Sequence, residues 1–169
     1  NNTAVGYRAV SETTTGGNNT GVGVDAARYT TGSYNTALGS IALSANTTAD
    51  GNTALGYAAL YTNTTGASNV AVGRDALRSS TTASNNAAVG YQAGYSNTTG
   101  ANSVVIGDGA GYTATSFAGI TAIGYRSFHA GAGPAWGLTA FGHSTAYNNT
   151  TGVANVAIGG YDSYNGTLA

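Results

Sequence analysis

The apolar residues of this chain come in short bursts, each closed by a glycine and separated from the next by stretches rich in Asn, Thr and Ser. The unit reads Asn-Thr-Ala-(Val/Leu)-Gly, then two variable residues, then Ala. Clear copies begin at Asn2, Asn19, Asn35, Asn52, Asn69 and Asn86, and looser ones run on to Asn155-Val156-Ala157-Ile158-Gly159. The closing glycines are Gly6, Gly23, Gly39, Gly56, Gly73, Gly90, Gly107, Gly124, Gly142 and Gly159, spaced by 17, 16, 17, 17, 17, 17, 17, 18 and 17 residues. A fixed period of this kind marks a repeat architecture, and a helical hairpin repeat needs about 33 residues or more. Gly, Asn, Thr and Val also disfavour helix, glycine by about 1 kcal/mol per site. The expected fold is all-β: a parallel β-solenoid of ten coils, one per closing glycine, each a short strand, a turn, a second strand and a turn. Coils pairing in parallel at about 4.8 Å give a rod roughly 48 Å long. Residues 1–169 read as one repeat domain.

Two columns stand out when the coils are aligned. The residue before each glycine is Val5, Val22, Leu38, Leu55, Val72, Val89, Ile106, Ile123, Phe141 or Ile158, always bulky and apolar. The residue before that is small: Ala at most levels, Gly21 and Val105 at two. Strand neighbours point to opposite faces, so the bulky column is expected to line the coil interior. The alanines would then face outward, as a seam for a sister chain. After the glycine, Ala9, Ala26, Ala42, Ala59, Ala76, Ala93 and Ala110 mark the expected second strand. The following Thr-Thr-Gly, as at Thr64-Thr65-Gly66, reads as a turn whose glycine supplies positive φ. The motif Asn is expected to bond local backbone or to stack as a ladder between coils.

Composition narrows the function. Charged residues make up only 7% of the chain, and five Arg against six acids leave a net charge of −1. That offers no basic footprint for nucleic acid. No apolar run is long enough to span a membrane as a helix. The 41% apolar content argues against disorder. Without Cys there is neither a disulfide framework nor a thiolate metal site. The chain lacks an initiating Met and opens inside a repeat, which reads as a processed product or a segment of a longer fibre. No nucleophile elbow, phosphate loop or metal-ligand spacing occurs. Gly107-Asp108-Gly109-Ala110-Gly111 is glycine-rich, but no helix is expected after it. We expect no enzyme, no cofactor and no metal.

The units Asn69-Val70-Ala71-Val72-Gly73, Ser103-Val104-Val105-Ile106-Gly107 and Asn155-Val156-Ala157-Ile158-Gly159 resemble the head repeats of trimeric autotransporter adhesins. The longer form, residues 52–66, is similar to repeats of bacteriophage tail fibres. The resemblance covers essentially the whole chain and implies a β-roll, three chains around one axis, and an extracellular, cell-surface or virion location. It also implies attachment to a host, through a surface glycan or cell receptor. Adhesin heads of this type have a shorter repeat, near fourteen residues. Two other readings stand beside it. One is a structural filament stacking end to end, since nothing at Asn1 or Ala169 reads as a cap over the open sheet edge. The other is an ice-binding solenoid carrying a Thr ladder.

The repeat loosens between Gly107 and Gly142, where Phe117, Tyr125, Phe128, His129, Pro134 and Trp136 lie, with His143 just beyond. A specific site needs groups that occur once. Tyr125, His129, Trp136 and His143 are therefore the candidate ligand contacts, with sugar rings stacking on aromatic faces. The alternative is that these side chains plug a widened coil. Asn-x-Thr sequons start at Asn1, Asn18, Asn46, Asn63, Asn97, Asn148, Asn149 and Asn165.

Overall fold

The computed structural model describes residues 1–131, 135–149 and 154–160. It is a parallel β-solenoid. Ten three-residue strands stack in one sheet: β1 (Thr3–Val5), β2 (Thr20–Val22), β3 (Thr36–Leu38), β4 (Thr53–Leu55), β5 (Val70–Val72), β6 (Ala87–Val89), β7 (Val104–Ile106), β9 (Thr121–Ile123), β11 (Thr139–Phe141) and β12 (Val156–Ile158). A second, two-stranded sheet pairs β8 (Phe117–Ala118) with β10 (Ala135–Trp136). Register follows the repeat: Thr53 faces Val70, Ala54 faces Ala71 and Leu55 faces Val72. Each rung is pinned at both ends, by Thr53 N–H donating to the Asn69 carbonyl at 2.8 Å and Gly73 N–H to the Leu55 carbonyl at 2.7 Å.

The motif glycine ends each strand for two reasons. Gly56 has φ of +134°, which side chains avoid, and a Cβ there would meet the Gly73 carbonyl oxygen at 2.6 Å. The Thr-Thr-Gly glycine is required for a different reason from the one expected. Gly66 does not have positive φ; a Cβ on it would lie 2.1 Å from the Ala83 carbonyl oxygen of the next coil. Left-handed backbone falls instead on the residue before the motif Asn, as at Ser68 (φ 58°) and Asn85 (φ 59°).

Among the described residues the alanine column after the glycine forms no strand; β8 and β10 come later in their coils. The chain there forms a run of turns with positive φ at alternate residues, such as Ile41 and Leu43, Ala58 and Leu60, Asp75 and Leu77. Left-handed backbone costs a branched residue roughly 1–2 kcal/mol. Hydrogen bonds to both neighbouring coils offset that: Ala58 N–H donates back to Ser40, and Leu60 N–H forward to Ala76.

The interior is the reverse of the expected one. Ala37, Ala54, Ala71, Ala88, Ala122 and Ala140 are buried within the single chain, and so is the alanine column after the glycine. Leu43, Leu60 and Leu77 fill the remaining width. Of the bulky pre-glycine column, Val5, Leu38, Leu55, Val89, Ile106, Phe141 and Ile158 are exposed, Leu55 by 41%. A coil of 17 residues encloses too little space for two bulky columns. The turn segment supplies the leucines, so the strand must supply alanines.

Buried amides hold the coils in line. The Asn35, Asn52 and Asn69 side-chain oxygens each accept from the backbone N–H of the next motif Asn, at 2.9–3.0 Å. The Asn52, Asn69 and Asn86 amides donate to the carbonyls of Gly66, Ala83 and Gly100 at 2.8–2.9 Å. Ser103 continues the ladder, its hydroxyl accepting from Ile120 N–H at 3.1 Å. The expected Asn ladder is therefore present, and it is buried.

Candidate functional site: the outward sheet face and its aromatic flanks

Alternation along each strand turns two columns outward from the sheet. The leading column is Thr3, Thr20, Thr36, Thr53, Val70, Ala87, Val104, Thr121, Thr139 and Val156, and the pre-glycine column stands beside it. Among the described residues most of the pre-glycine column is left exposed, with Val22, Val72 and Ile123 half-buried and Ile158 79% exposed. A sheet face bathed in water normally alternates to polar side chains. An apolar stripe running the length of the rod is the kind of patch that marks an interaction surface.

Just beyond the glycine the chain turns a corner, and a flanking column carries Tyr57, Arg74, Tyr91, Asp108, Tyr125 and His143. The Arg74 guanidinium lies 5.6 Å from the Tyr57 ring centre and 5.9 Å from that of Tyr91. Tyr125 and His143 meet at 5.0 Å. Four residues further on, a second column reads Tyr61, Arg78, Tyr95, Tyr112, His129 and Tyr147. Arg78 sits between the Tyr61 and Tyr95 rings and donates to the Tyr95 hydroxyl at 2.7 Å. Tyr95, Tyr112, His129 and Tyr147 stack continuously, with centres 5.2, 5.2 and 4.9 Å apart. Coil stacking at strand spacing brings rings on adjacent coils of the same column into van der Waals range.

His129 is half-buried within that stack. Burial lowers its pKa below the usual value of 6.5, the nearby Arg126 pushes the same way, and Asp108 opposes them. Its Nδ1 is buried without a hydrogen-bond partner.

The four candidate ligand contacts do not form one pocket. Tyr125 and His143 share the flanking column, and His129 belongs to the second stack. Trp136, in β10, stands on the turn before β11 and has no ring partner among the described residues. Its indole is 59% exposed, so it does not plug a widened coil. That role falls to Phe117 and Phe128, which are fully buried. Pro134 lies outside the described residues. Among the described residues no group of three His, Asp or Glu side chains gathers to hold a metal ion.

Two further surface features are spent on structure. The hydroxyls of Thr47, Thr64, Thr81 and Thr98 donate to the next coil's Thr carbonyl at 2.8–3.1 Å. The sequon residues Asn46, Asn63 and Asn97 are fully buried, and their amides donate to the carbonyls of Ala49, Gly66 and Gly100. Asn18 is exposed.

Compared with known families, with characterised proteins and with solved structures, the chain matches none of them.

Proposed function

We propose that this chain is a segment of an extracellular attachment fibre, in which copies associate side by side through the outward sheet face while the rest of the rod faces solvent. The observation that carries the reading is the pre-glycine column, bulky and apolar at all ten levels and exposed at seven of them. Nine strand spacings of about 4.8 Å, and a width of about five residues at 3.3 Å each, give a face of roughly 700 Å² per copy. Stable interfaces bury about 800 Å² per partner. Tyr and Arg on its flank are residue types enriched at interfaces. Three copies around one axis is the arrangement that the adhesin-like repeats imply. Trp136, exposed and without a ring contact among the described residues, is the residue open to a surface glycan.

Sedimentation velocity tests the association. The wild-type chain should run as an oligomer, and Leu55→Asp with Val72→Asp should run as a folded monomer. A wild-type monomer at high concentration refutes the reading, and an open-ended polymer favours the end-to-end filament instead. Attachment is tested separately: Trp136→Ala should reduce binding of the labelled fibre to glycan-bearing cells without changing its sedimentation.

A further inference from the structure

A face that repeats every coil has a problem of its own. Two such faces slide past one another by one coil and meet nearly the same chemistry, so something that does not repeat must set their axial register. Nine residues of the leading column are Thr or Val; at Ala87 alone the column drops to a methyl group. The result is an open notch of about 410 Å³. Val70, Ala87 and Val104 form its apolar floor, and Ser68, Asn85 and Asn102 its rim. Those three rim residues are exposed, and their side chains make no hydrogen bond among the described residues.

We propose that the ring of Tyr91 from a second copy seats in this notch and fixes the register of the assembled chains. The proposal rests on the side-by-side association argued above. Tyr91 belongs to the same coil as Ala87, so parallel, in-register copies present it at the right level. It stands at the edge of the same face, one residue past Gly90, and is exposed. A phenol suits the notch: the ring meets the valines and the hydroxyl reaches the free amides of Asn85 and Asn102. The neighbours of Tyr91 in its column are Arg74 and Asp108. A slip of one coil in one direction would bring Asp108 against the apolar floor, where burying its charge is disfavoured, and in the other Arg74, which would have to be desolvated together with its ion pair to Asp75 at 3.2 Å. A slip of two coils would bring Tyr57 or Tyr125 to the notch but leave two coils of the apolar column uncovered at each end.

The chain contains no Cys, so Ala87→Cys places a single thiol on the notch floor. Maleimide labelling of the assembled variant should be slower, on the order of tenfold, than that of the same thiol in rods dissociated by Leu55→Asp and Val72→Asp. Adding Tyr91→Ala to the assembled variant should restore fast labelling, while Tyr57→Ala or Tyr125→Ala should not. Equal labelling in assembled and dissociated rods overturns the proposal, because the notch is then empty or holds a small solute instead. Protection that survives Tyr91→Ala overturns Tyr91 as its occupant. A wild-type chain that sediments as a monomer overturns the association itself, an outcome distinct from both.

Discussion

Leu60→Ala and Leu55→Ala remove the same three carbon atoms from side chains five residues apart, and their costs should differ severalfold. Leu60 is fully buried between Leu43 and Leu77, and the alanines around it have nothing to extend into the space it leaves. The coil cannot close over the gap, because its perimeter is fixed by hydrogen bonds to both neighbours, including Leu43 N–H to the Ala59 carbonyl and Leu60 N–H to that of Ala76. The cost belongs at the upper end for such truncations, about 3–5 kcal/mol. Leu55 is already 41% exposed. Complete burial of a leucine stabilises by about 1.5–3 kcal/mol, so the covered part accounts for about 1 kcal/mol in a dissociated rod. Because a repeat rod opens coil by coil, the fitting assay is amide hydrogen exchange at Leu43, Leu60 and Leu77, read in dissociated rods. Leu60→Ala should speed exchange there by two to three orders of magnitude, given about 1.4 kcal/mol per factor of ten, and Leu55→Ala by less than one. Ala54→Leu, pointing into the same full interior, should also loosen the coil. Equal loss of protection in Leu55→Ala and Leu60→Ala would refute the assignment of inside and outside.

Three further outcomes follow from the same coordinates. Asn69→Ala leaves the Asn86 N–H and the Ala83 carbonyl unpaired inside the rod and should cost about 1–3 kcal/mol per orphaned group; Asn69→Ser, which repeats the arrangement at Ser103, should cost less by chemical denaturation. His129 is held neutral by burial and by Arg126, so its folded pKa lies below 6.5 and the unfolded chain takes up the proton first. Its contribution is therefore complete above pH 6.5 and is lost as pH falls through the folded value, so the melting temperature should drop on acidification; His129→Tyr, which keeps a ring in the stack, should flatten that dependence. Deleting residues 40–56, one whole coil, should leave a folded rod shorter by about 4.8 Å in X-ray scattering, whereas deleting only residues 40–48 should unfold the coils on either side.

Strand position, period and register were legible because they depend only on spacing, and five intervals of 17 between Gly39 and Gly124 leave no freedom. The Asn ladder was legible for the same reason. The direction of each strand's faces was not. Alternation separates Ala54 from Leu55 but does not say which one points inward, since both are apolar. The cue lay in Leu43, Leu60 and Leu77, which claim the interior first. The left-handed turns at Ile41, Leu43 and Leu60 had no local signal, because branched residues ordinarily avoid that conformation; the bonds that hold them there come from other coils. The candidate contacts scattered for a simpler reason. Counted from the motif glycine, Tyr125 and His143 share one position, His129 stands four further on and Trp136 on another side, so closeness in sequence does not become closeness in space. The ring stack through Tyr95, Tyr112, His129 and Tyr147 repeats at intervals of 17, 17 and 18 residues, a signal that the alignment of coils contains.

The pattern of what varies from coil to coil separates the two demands on this sequence. Inside, the leucine position is not held: Gly94 and Gly111 replace it in two successive coils, and Phe117 enters from the opposite wall to fill the space, so close that a Cβ on Gly94 would lie 3.4 Å from its ring. The core therefore tolerates substitution wherever volume is made up elsewhere. Outside, at the same two levels, the pre-glycine position remains Val89 and Ile106, both exposed. If outward apolarity were a by-product of core packing, it would loosen where the core pattern loosens. It does not loosen there, nor at Phe141 beside the 18-residue interval. Among the described residues these side chains stay exposed, so core packing does not account for their bulk, and solvent disfavours it. The pattern is what the proposed side-by-side association requires: burial supplied from outside the chain, which a neighbouring copy would provide with the same column at the same spacing.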